Sequence, residues 1–252
     1  MNKPLFNQAN ELKAKLAVLR PLTPAEAARL REEFMIENTY NTNAIEGNSL
    51  TLRETYLVLK EGMTIAGKPL KDHLKAVGHR DAFEYMATLA DAGVPLTERA
   101  IKHIHSLVLM DSPQYKGEYR RIPVMIGGSK QTPPQPCLVS PQMEALIAGY
   151  EDMKKNMHII EAIAQFHLRF EGIHPFVDGN GRAGRLIINL ELIKAGFLPV
   201  DIKYTDRDKY YICFDDYFGE KQTADTLTNL MLEYEIAELE RYIPMMEYAT
   251  TY

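Results

Sequence analysis

The sequence lacks most of the features that mark specialised classes of protein. Its 252 residues include two cysteines, Cys137 and Cys213, with no CxxC or metal-finger spacing. This excludes a disulfide-rich scaffold and indicates reduced thiols, with a single disulfide between the two cysteines as the alternative. No apolar run approaches the length of a membrane span, and charged residues interrupt the N-terminal segment where a signal peptide would need its apolar core. We therefore predict a cytoplasmic protein with no membrane partner.

A surplus of basic residues is also missing. The chain carries 29 Lys and Arg against 34 Asp and Glu, for a formal net charge of -5. Such a chain has no general excess of positive charge to meet a nucleic-acid backbone. Hydrophobic residues make up 46% of the chain and charged residues 25%, as in ordinary globular proteins. The composition therefore predicts a globular protein with a proper core and no nucleic-acid partner.

What the sequence does contain is a series of helix boundaries. Thr23 with Glu26 and Thr51 with Glu54 form capping boxes, and the helices that they open should stop at Gly47 and Gly62. Apolar spacing and capping residues predict further helices over 70–89, after Thr97, from Ser140-Pro141, over 159–170, over 182–195, and after Asp206 and Thr223. These signals predict an all-α fold.

One stretch departs from the helical pattern. In EYRRIPVMIGGSKQTPPQP, residues 118–136, Ile122, Val124 and Ile126 alternate and Gly127-Gly128 supplies a turn. The four prolines of this stretch forbid a helix. We predict a short β-hairpin here, attached to a helical body. The N-terminal helices over 1–62 and a core over 63–252 should form a single compact unit.

The motif HPFVDGNGRAGR, residues 174–185, has three interpretations. The first is a glycine-rich turn between two core helices, with its arginines in solvent. The second is the GxGxxG dinucleotide fingerprint, which requires a preceding strand in a βαβ unit, whereas the residues before this motif have helical character. A calcium loop is equally poor, because Asn189 stands where the bidentate glutamate should be.

The third interpretation uses every residue of the motif. Glycines let the backbone approach a ligand closely, and a helix beginning near Asn180 points its free amides at the loop. Arginines three apart share a helix face and can grip different phosphates, while a single carboxylate suits Mg²⁺ held jointly with phosphate. The histidine is largely neutral near pH 7 and can accept a proton. The set, with Phe176 as a core plug, is typical of a site for a nucleoside triphosphate, a metal and a general base: His174, Asp178, Gly179, Gly181, Arg182 and Arg185.

At this point the sequence resembles the Fic family, whose signature HPFx[D/E]GNGRxxR it matches at every fixed position. The resemblance extends from Thr42 over most of the chain. It implies transfer of AMP from ATP, with Mg²⁺, to a Ser, Thr or Tyr hydroxyl of a target protein. It further implies that His174 is the base, that Asp178 holds Mg²⁺, that Gly179, Asn180 and Gly181 form the anion hole, and that Arg182 and Arg185 bind the β- and γ-phosphates.

The resemblance also gives roles outside the signature. The hairpin resembles the family's flap, which clamps the target segment by strand addition, although a structural arm or a homodimer contact is an alternative. Val124, Met125, Ile126 and Gly127 border the nucleotide by this comparison, and Tyr210 and Tyr211 align with aromatic positions near the base. Because adjacent helical residues point in different directions, we expect at most one tyrosine to stack and the other to be core. His167 is expected to be a hydrogen-bonded packing residue, and His103 and His105 show no functional pattern.

A second motif lies at the end of the first capped helix, TNAIEGN, residues 42–48. Its plain interpretation is a helix C-terminus with Gly47 just beyond it. A glutamate at the negative end of a helix nevertheless needs a partner elsewhere. The motif resembles the inhibitory [S/T]xxxE[G/N] helix of the Fic family, with Thr42 and Glu46 in its fixed positions and Arg185 as the partner of Glu46.

These features predict an autoinhibited protein adenylyltransferase. Transfer of another nucleotide, removal of AMP, and a non-catalytic nucleotide-sensing module are the alternatives. Residues 223–252 offer one long helix and a short tail, too little for the DNA-binding module that some relatives carry.

Overall fold

The computed structural model describes residues 2–19, 22–127 and 131–250, with side chains up to residue 247. Within these ranges the chain forms ten α-helices and two short 3-10 turns, and it contains no β-strand. The helices are α1 (Lys3–Ala17), α2 (Pro24–Ile45), α3 (Leu52–Glu61), α4 (Leu70–Asp91), α5 (Glu98–Val108), α6 (Pro136–Asn156), α7 (Ile159–Ile173), α8 (Asn180–Lys194), α9 (Arg207–Phe218) and α10 (Asp225–Thr250). The predicted all-α architecture is confirmed.

The predicted helix starts agree well with the structure. Both capping boxes are formed, at Thr23 and Thr51, and α3 ends at Gly62 in the left-handed conformation. The predicted start of α6 at Ser140-Pro141 is wrong, because the helix begins at Pro136 and contains Pro141. Proline is well tolerated at the first helical position, so Pro136 opens the helix, and Pro141 removes one hydrogen bond near its start.

The predicted hairpin is not formed in the described residues. Residues 122–127 carry no strand, and the turn residue Gly128 lies outside the described part of the chain. Pro123 lies among the alternating residues 122–126, and Pro133 and Pro134 follow the predicted turn. Because proline has no backbone N–H to donate, these positions cannot complete a two-stranded ladder.

The core is organised around α7 and α8, which contact each other along their lengths. Nearly every residue of α8 is buried, and the helix also contacts α2, α4 and α5. A single hydrophobic cluster runs from Phe6 in α1 to Ile236 in α10. The loop between α7 and α8 is therefore fixed at both ends by the most deeply buried helices of the molecule.

Helix α2 is attached to this core largely through polar side chains. The buried carboxylate of Asp201, just before α9, accepts hydrogen bonds from Asn38 Nδ2 at 3.0 Å and Asn41 Nδ2 at 2.6 Å. Lys203 Nζ lies 2.8 Å from the same carboxylate and 2.7 Å from Glu37 Oε1. Buried polar groups need such partners, and the network holds the C-terminal end of α2 beside α8.

Candidate active site

His174 is the residue that ends α7, and its backbone is unusual. It has φ of 48°, in the left-handed region that non-glycine residues rarely adopt. Its carbonyl accepts a hydrogen bond from Arg120 Nε at 2.8 Å, which fixes this conformation. Burial lowers the pKa of His174, and the Glu171 backbone carbonyl, as an acceptor for the ring N–H, is among the groups that oppose this shift. The imidazole is therefore neutral near pH 7 and can accept a proton.

The loop after His174 is held from inside by Asn180. Asn180 Oδ1 accepts a hydrogen bond from the Phe176 amide at 2.9 Å, and Asn180 Nδ2 donates to the Phe176 carbonyl at 3.0 Å. The Phe176 ring is fully buried, as the plug that the sequence predicted. The side chain of Asn180 therefore closes the loop, and only its backbone can contribute to an anion site.

The N-terminus of α8 is built as an anion site. Gly179 precedes the helix with φ of 79°, and no side chain caps the first turn. A Cβ on Gly181 would collide with Glu46 Oε1 and would lie 3.0 Å from Arg185 Nη1. The carboxylate of Glu46 thus lies against the start of α8, where unpaired amides and the helix dipole favour an anion.

The structure brings Thr42, Glu46 and Arg185 together. Arg185 Nη2 donates to Glu46 Oε1 at 2.7 Å and to the Thr42 carbonyl at 3.1 Å, and Arg185 Nε donates to Thr42 Oγ1 at 2.6 Å. Arg185 is almost fully buried, whereas about a third of the Glu46 side chain is exposed. The partner that a glutamate at the end of α2 requires is therefore Arg185, as predicted.

The two signature arginines do not share one surface. Arg182 is 0% exposed, and its Nη1 lies 3.3 Å from the Val108 carbonyl of α5. It does not line the cavity that Arg185 lines. Residues three apart on a helix diverge by about 60°, which is enough on this buried helix to send Arg182 towards α5 and Arg185 towards α2. The expectation that the two arginines share one face is thus not met in this arrangement, and phosphate binding by Arg182 stays a prediction.

Asp178 presents a carboxylate that is 52% exposed. Its Oδ1 accepts from the Gly179 amide at 2.6 Å and lies 3.6 Å from Arg182 Nη2, and its Oδ2 lies 3.7 Å from Lys75 Nζ. Burial alone would raise the pKa of Asp178, but Arg182, Lys75 and the Gly179 amide lower it, so the group is ionised. The described residues contain no cluster of three or more His, Cys, Asp or Glu that could hold a metal. A hard carboxylate beside the N-terminus of α8 fits Mg²⁺ whose other ligands would come from phosphate and water.

A cavity of about 440 Å³ connects these groups. Its volume lies within the range of small-molecule sites. Of the predicted residues, those that line it are Glu46, Met125, Ile126, Gly127, His174, Asp178, Gly179, Asn180, Gly181, Arg185, Tyr210 and Tyr211. Thr42, Val124 and Arg182 are outside this lining.

The two tyrosines differ as expected of adjacent helical residues. Tyr210 is buried, and its hydroxyl lies 2.6 Å from His167 Nε2, so His167 is the hydrogen-bonded packing residue that the sequence predicted. Tyr211 is 45% exposed and donates a hydrogen bond to the Ile45 carbonyl at 3.2 Å. Tyr211 is therefore the more accessible aromatic surface in the cavity.

Sequence reasoning missed three residues that shape the site. His105 Nε2 donates to the Asp178 carbonyl at 2.8 Å, and the ring stacks on Phe176 at 3.6 Å. Burial lowers the pKa of His105 to about 4, so it is neutral. Arg120 bonds the carbonyls of His174, Ile173 and Pro134. Burial raises the pKa of Glu171, which lines the cavity, to about 8. No local pattern marks these residues, because their partners are distant in sequence.

Comparisons with known proteins agree on one family. The family model of the Fic/DOC family matches residues 95–192. The protein adenylyltransferase Fic of Nematostella vectensis is 33% identical over 217 residues, or 84% of this chain and 49% of that protein. The namesake from Culex quinquefasciatus is 35% identical over 187 residues, or 73% of this chain and 37% of that protein. The chain thus spans less than half the length of these curated relatives.

Solved structures give the same result. The crystal structure of a Fic domain containing signaling protein from Bacteroides thetaiotaomicron superposes with a TM-score of 0.85 at 27% identity, covering 95% of this chain and 97% of that one. Fic-1 from C. elegans superposes with a TM-score of 0.84 at 26% identity, covering 96% of this chain and 71% of that one. Separately, none of the helices within the described ranges is both long and apolar enough to cross a membrane.

Proposed function

This chain belongs to the Fic/DOC family, and from that premise we propose that it is an autoinhibited protein adenylyltransferase. It transfers AMP from ATP to a Ser, Thr or Tyr hydroxyl of a target protein. The observation that carries this proposal is the position of Glu46, whose carboxylate lies at the N-terminus of α8 and bonds Arg185. A carboxylate in an anion site behaves as an occupant of the place that a phosphate would take.

The residues of the cavity can divide the reaction among them. The target hydroxyl oxygen attacks the α-phosphorus of ATP, the bond from that phosphorus to the bridging oxygen breaks, and pyrophosphate leaves. His174 accepts the hydroxyl proton, since its imidazole is neutral and faces the cavity. A positioned base of this kind contributes about 10²–10⁴-fold to a rate.

Charge on the phosphates is met by fixed donors. The free amides at Asn180 and Gly181 and the guanidinium of Arg185 stabilise developing negative charge without reorganising. Asp178 would hold Mg²⁺, which neutralises phosphate charge and orients the leaving group. Because Arg182 contacts Asp178 and not the cavity, we assign it to the support of that carboxylate in the resting protein.

The target polypeptide is proposed to bind along residues 121–127. Met125 and Ile126 border the cavity from this segment. It forms no strand within the described residues, and residues 123–126 have no regular secondary structure, so a target segment could pair with it through main-chain hydrogen bonds. The absence of an internal partner strand therefore leaves the edge available for one.

The test is AMP transfer by the Glu46→Gly protein, followed with α-labelled ATP and Mg²⁺ and scored as self-labelling. Removing the carboxylate frees Arg185 for phosphate, and we expect a rate increase of roughly 10²-fold, at the lower end for breaking a buried pair because Glu46 is partly exposed. Glu61→Gly is the matched control, since Glu61 also ends a helix before a glycine. Equal labelling by Glu46→Gly and the unmodified protein at saturating ATP would refute self-inhibition, and no transfer by any variant would leave a non-catalytic module.

A further inference from the structure

We propose that Lys75 sets the coupling between Mg²⁺ and nucleotide binding, because its ammonium is shared between Asp178 and Asp111. This inference rests on the proposed function for the identity of the metal and the nucleotide. It concerns a residue outside both sequence motifs, on α4, and it makes Lys75 a positioning residue for the metal site.

The geometry of Lys75 is that of a shared cation. Its Nζ lies 3.7 Å from Asp178 Oδ2 and 3.8 Å from Asp111 Oδ2. Both distances exceed a normal hydrogen bond, so the ammonium is attracted by two carboxylates and bound closely to neither. The Lys75 side chain is 16% exposed and that of Asp111 is 9% exposed. Such a partly buried pair is only weakly screened by salt.

Asp178 is compensated from two sides in the resting protein. Arg182 Nη2 lies 3.6 Å from its Oδ1, while Lys75 lies beside its Oδ2. Two neighbouring cations reduce the negative potential that a metal ion would experience at this carboxylate. Asp178 by itself is thus a poor metal site, and phosphate oxygens are needed to make it a good one.

Asp111 gives the ammonium a second position. The Lys75 ammonium would be repelled by Mg²⁺ held at Asp178, and Asp111, whose Oδ2 lies 3.8 Å from Nζ, is the second carboxylate that would retain it. Asp111 Oδ1 is buried without a hydrogen-bond partner among the described residues, so it has the capacity to accept the closer contact. Lys75 therefore opposes the metal while the site is empty and is retained by Asp111 once the metal is bound.

The experiment measures ADP affinity by calorimetry in the Glu46→Gly protein, once with Mg²⁺ and once with EDTA. The coupling factor is the dissociation constant in EDTA divided by the dissociation constant in Mg²⁺. Lys75→Met should raise this factor about tenfold, because an uncompensated Asp178 repels metal-free phosphates and attracts the metal more strongly. Asp111→Asn should lower it, because the ammonium then stays at Asp178.

Lys68→Met is the matched control, since Lys68 is also partly buried and paired with a carboxylate, Glu54, at 3.4 Å. An unchanged coupling factor in both Lys75→Met and Asp111→Asn would overturn the inference and leave the proposed function intact. Should Lys75→Met fail to fold by circular dichroism, Asp111→Asn alone decides. Failure of the Glu46→Gly protein to bind ADP at all would overturn the proposed function together with this inference, whereas ADP binding without AMP transfer would overturn only the proposed function.

Discussion

The loop over residues 174–182 and the segment over residues 121–127 border the same cavity, but they are held very differently. The loop is fixed by Asn180 from within, by His105 from α5, and by Arg120 from the connection between α5 and α6. The segment forms no helix or strand, and Met125 within it is 93% exposed. The side of the cavity that we propose binds the nucleotide is therefore preorganised, whereas the side that we propose binds the target polypeptide is not.

The difference has a chemical reason. Charge stabilisation requires donors that are already in place before the reaction, since moving them would consume the energy that they supply. Strand addition requires the opposite, an edge whose backbone groups are unpaired until a partner arrives. Three substitutions test this division, in order of decreasing effect.

The largest effect is expected for His174→Ala in the Glu46→Gly protein. The loop should keep its shape, because Asn180 and Arg120 act on the backbone, while the proton acceptor is lost. We expect AMP transfer to fall by about 10²–10⁴-fold with ATP affinity nearly unchanged, as measured by labelling and calorimetry. Lost ATP binding in a folded protein would mean that the imidazole holds phosphate and is not the base.

The next effect concerns the loop itself. Asn180→Ala leaves the Phe176 amide and carbonyl buried without partners, which costs about 2–4 kcal/mol in the free energy of unfolding. Urea denaturation measures this loss. Asn156→Ala is the control, since Asn156 makes one exposed hydrogen bond to Asp152. A loss below about 1 kcal/mol would show that the loop is less preorganised than its hydrogen bonds indicate.

The smallest effect on stability is expected in the segment. Met125→Pro removes an exposed N–H, and we expect the free energy of unfolding to change by no more than about 0.5 kcal/mol. Transfer to a separate protein substrate should nevertheless decrease, with ADP affinity preserved. Met125→Ala keeps the N–H and should reduce transfer less. A large stability change would remove the contrast between the two regions, and equal transfer by both variants would exclude strand addition at this residue.

The same contrast explains what could be predicted from sequence. The signature loop and the capping boxes depend on residue types at fixed local spacings, and both were predicted from those spacings. The pairing of Glu46 with Arg185, which are distant in sequence, was predicted only from the resemblance to the Fic family. The direction of Arg182 was not, because it depends on which neighbouring helix lies on each side of α8. Arg120 and Arg121 are adjacent and chemically identical, yet the first is buried and the second exposed. Only tertiary packing separates them.

The hairpin prediction failed for a related reason. Alternating Ile122, Val124 and Ile126 predict an extended strand, but the structure has no strand at these positions. Whether an extended segment becomes a strand depends on a partner with free backbone groups, and the prolines at 133 and 134 cannot be that partner. The start of α6 was misplaced because Pro136 and Pro141 are both acceptable near a helix start, and local rules do not choose between them.

The close contact of Gly181 with Glu46 places two requirements on one position. A Cβ at residue 181 would collide with Glu46 Oε1 and lie 3.0 Å from Arg185 Nη1. Under the function proposed above, the same Cβ would also occupy space that a phosphate needs. We therefore expect a substitution of Gly181 that displaces the proposed inhibitory carboxylate to impair nucleotide binding as well, so that no single change at this position would give an unrestrained enzyme.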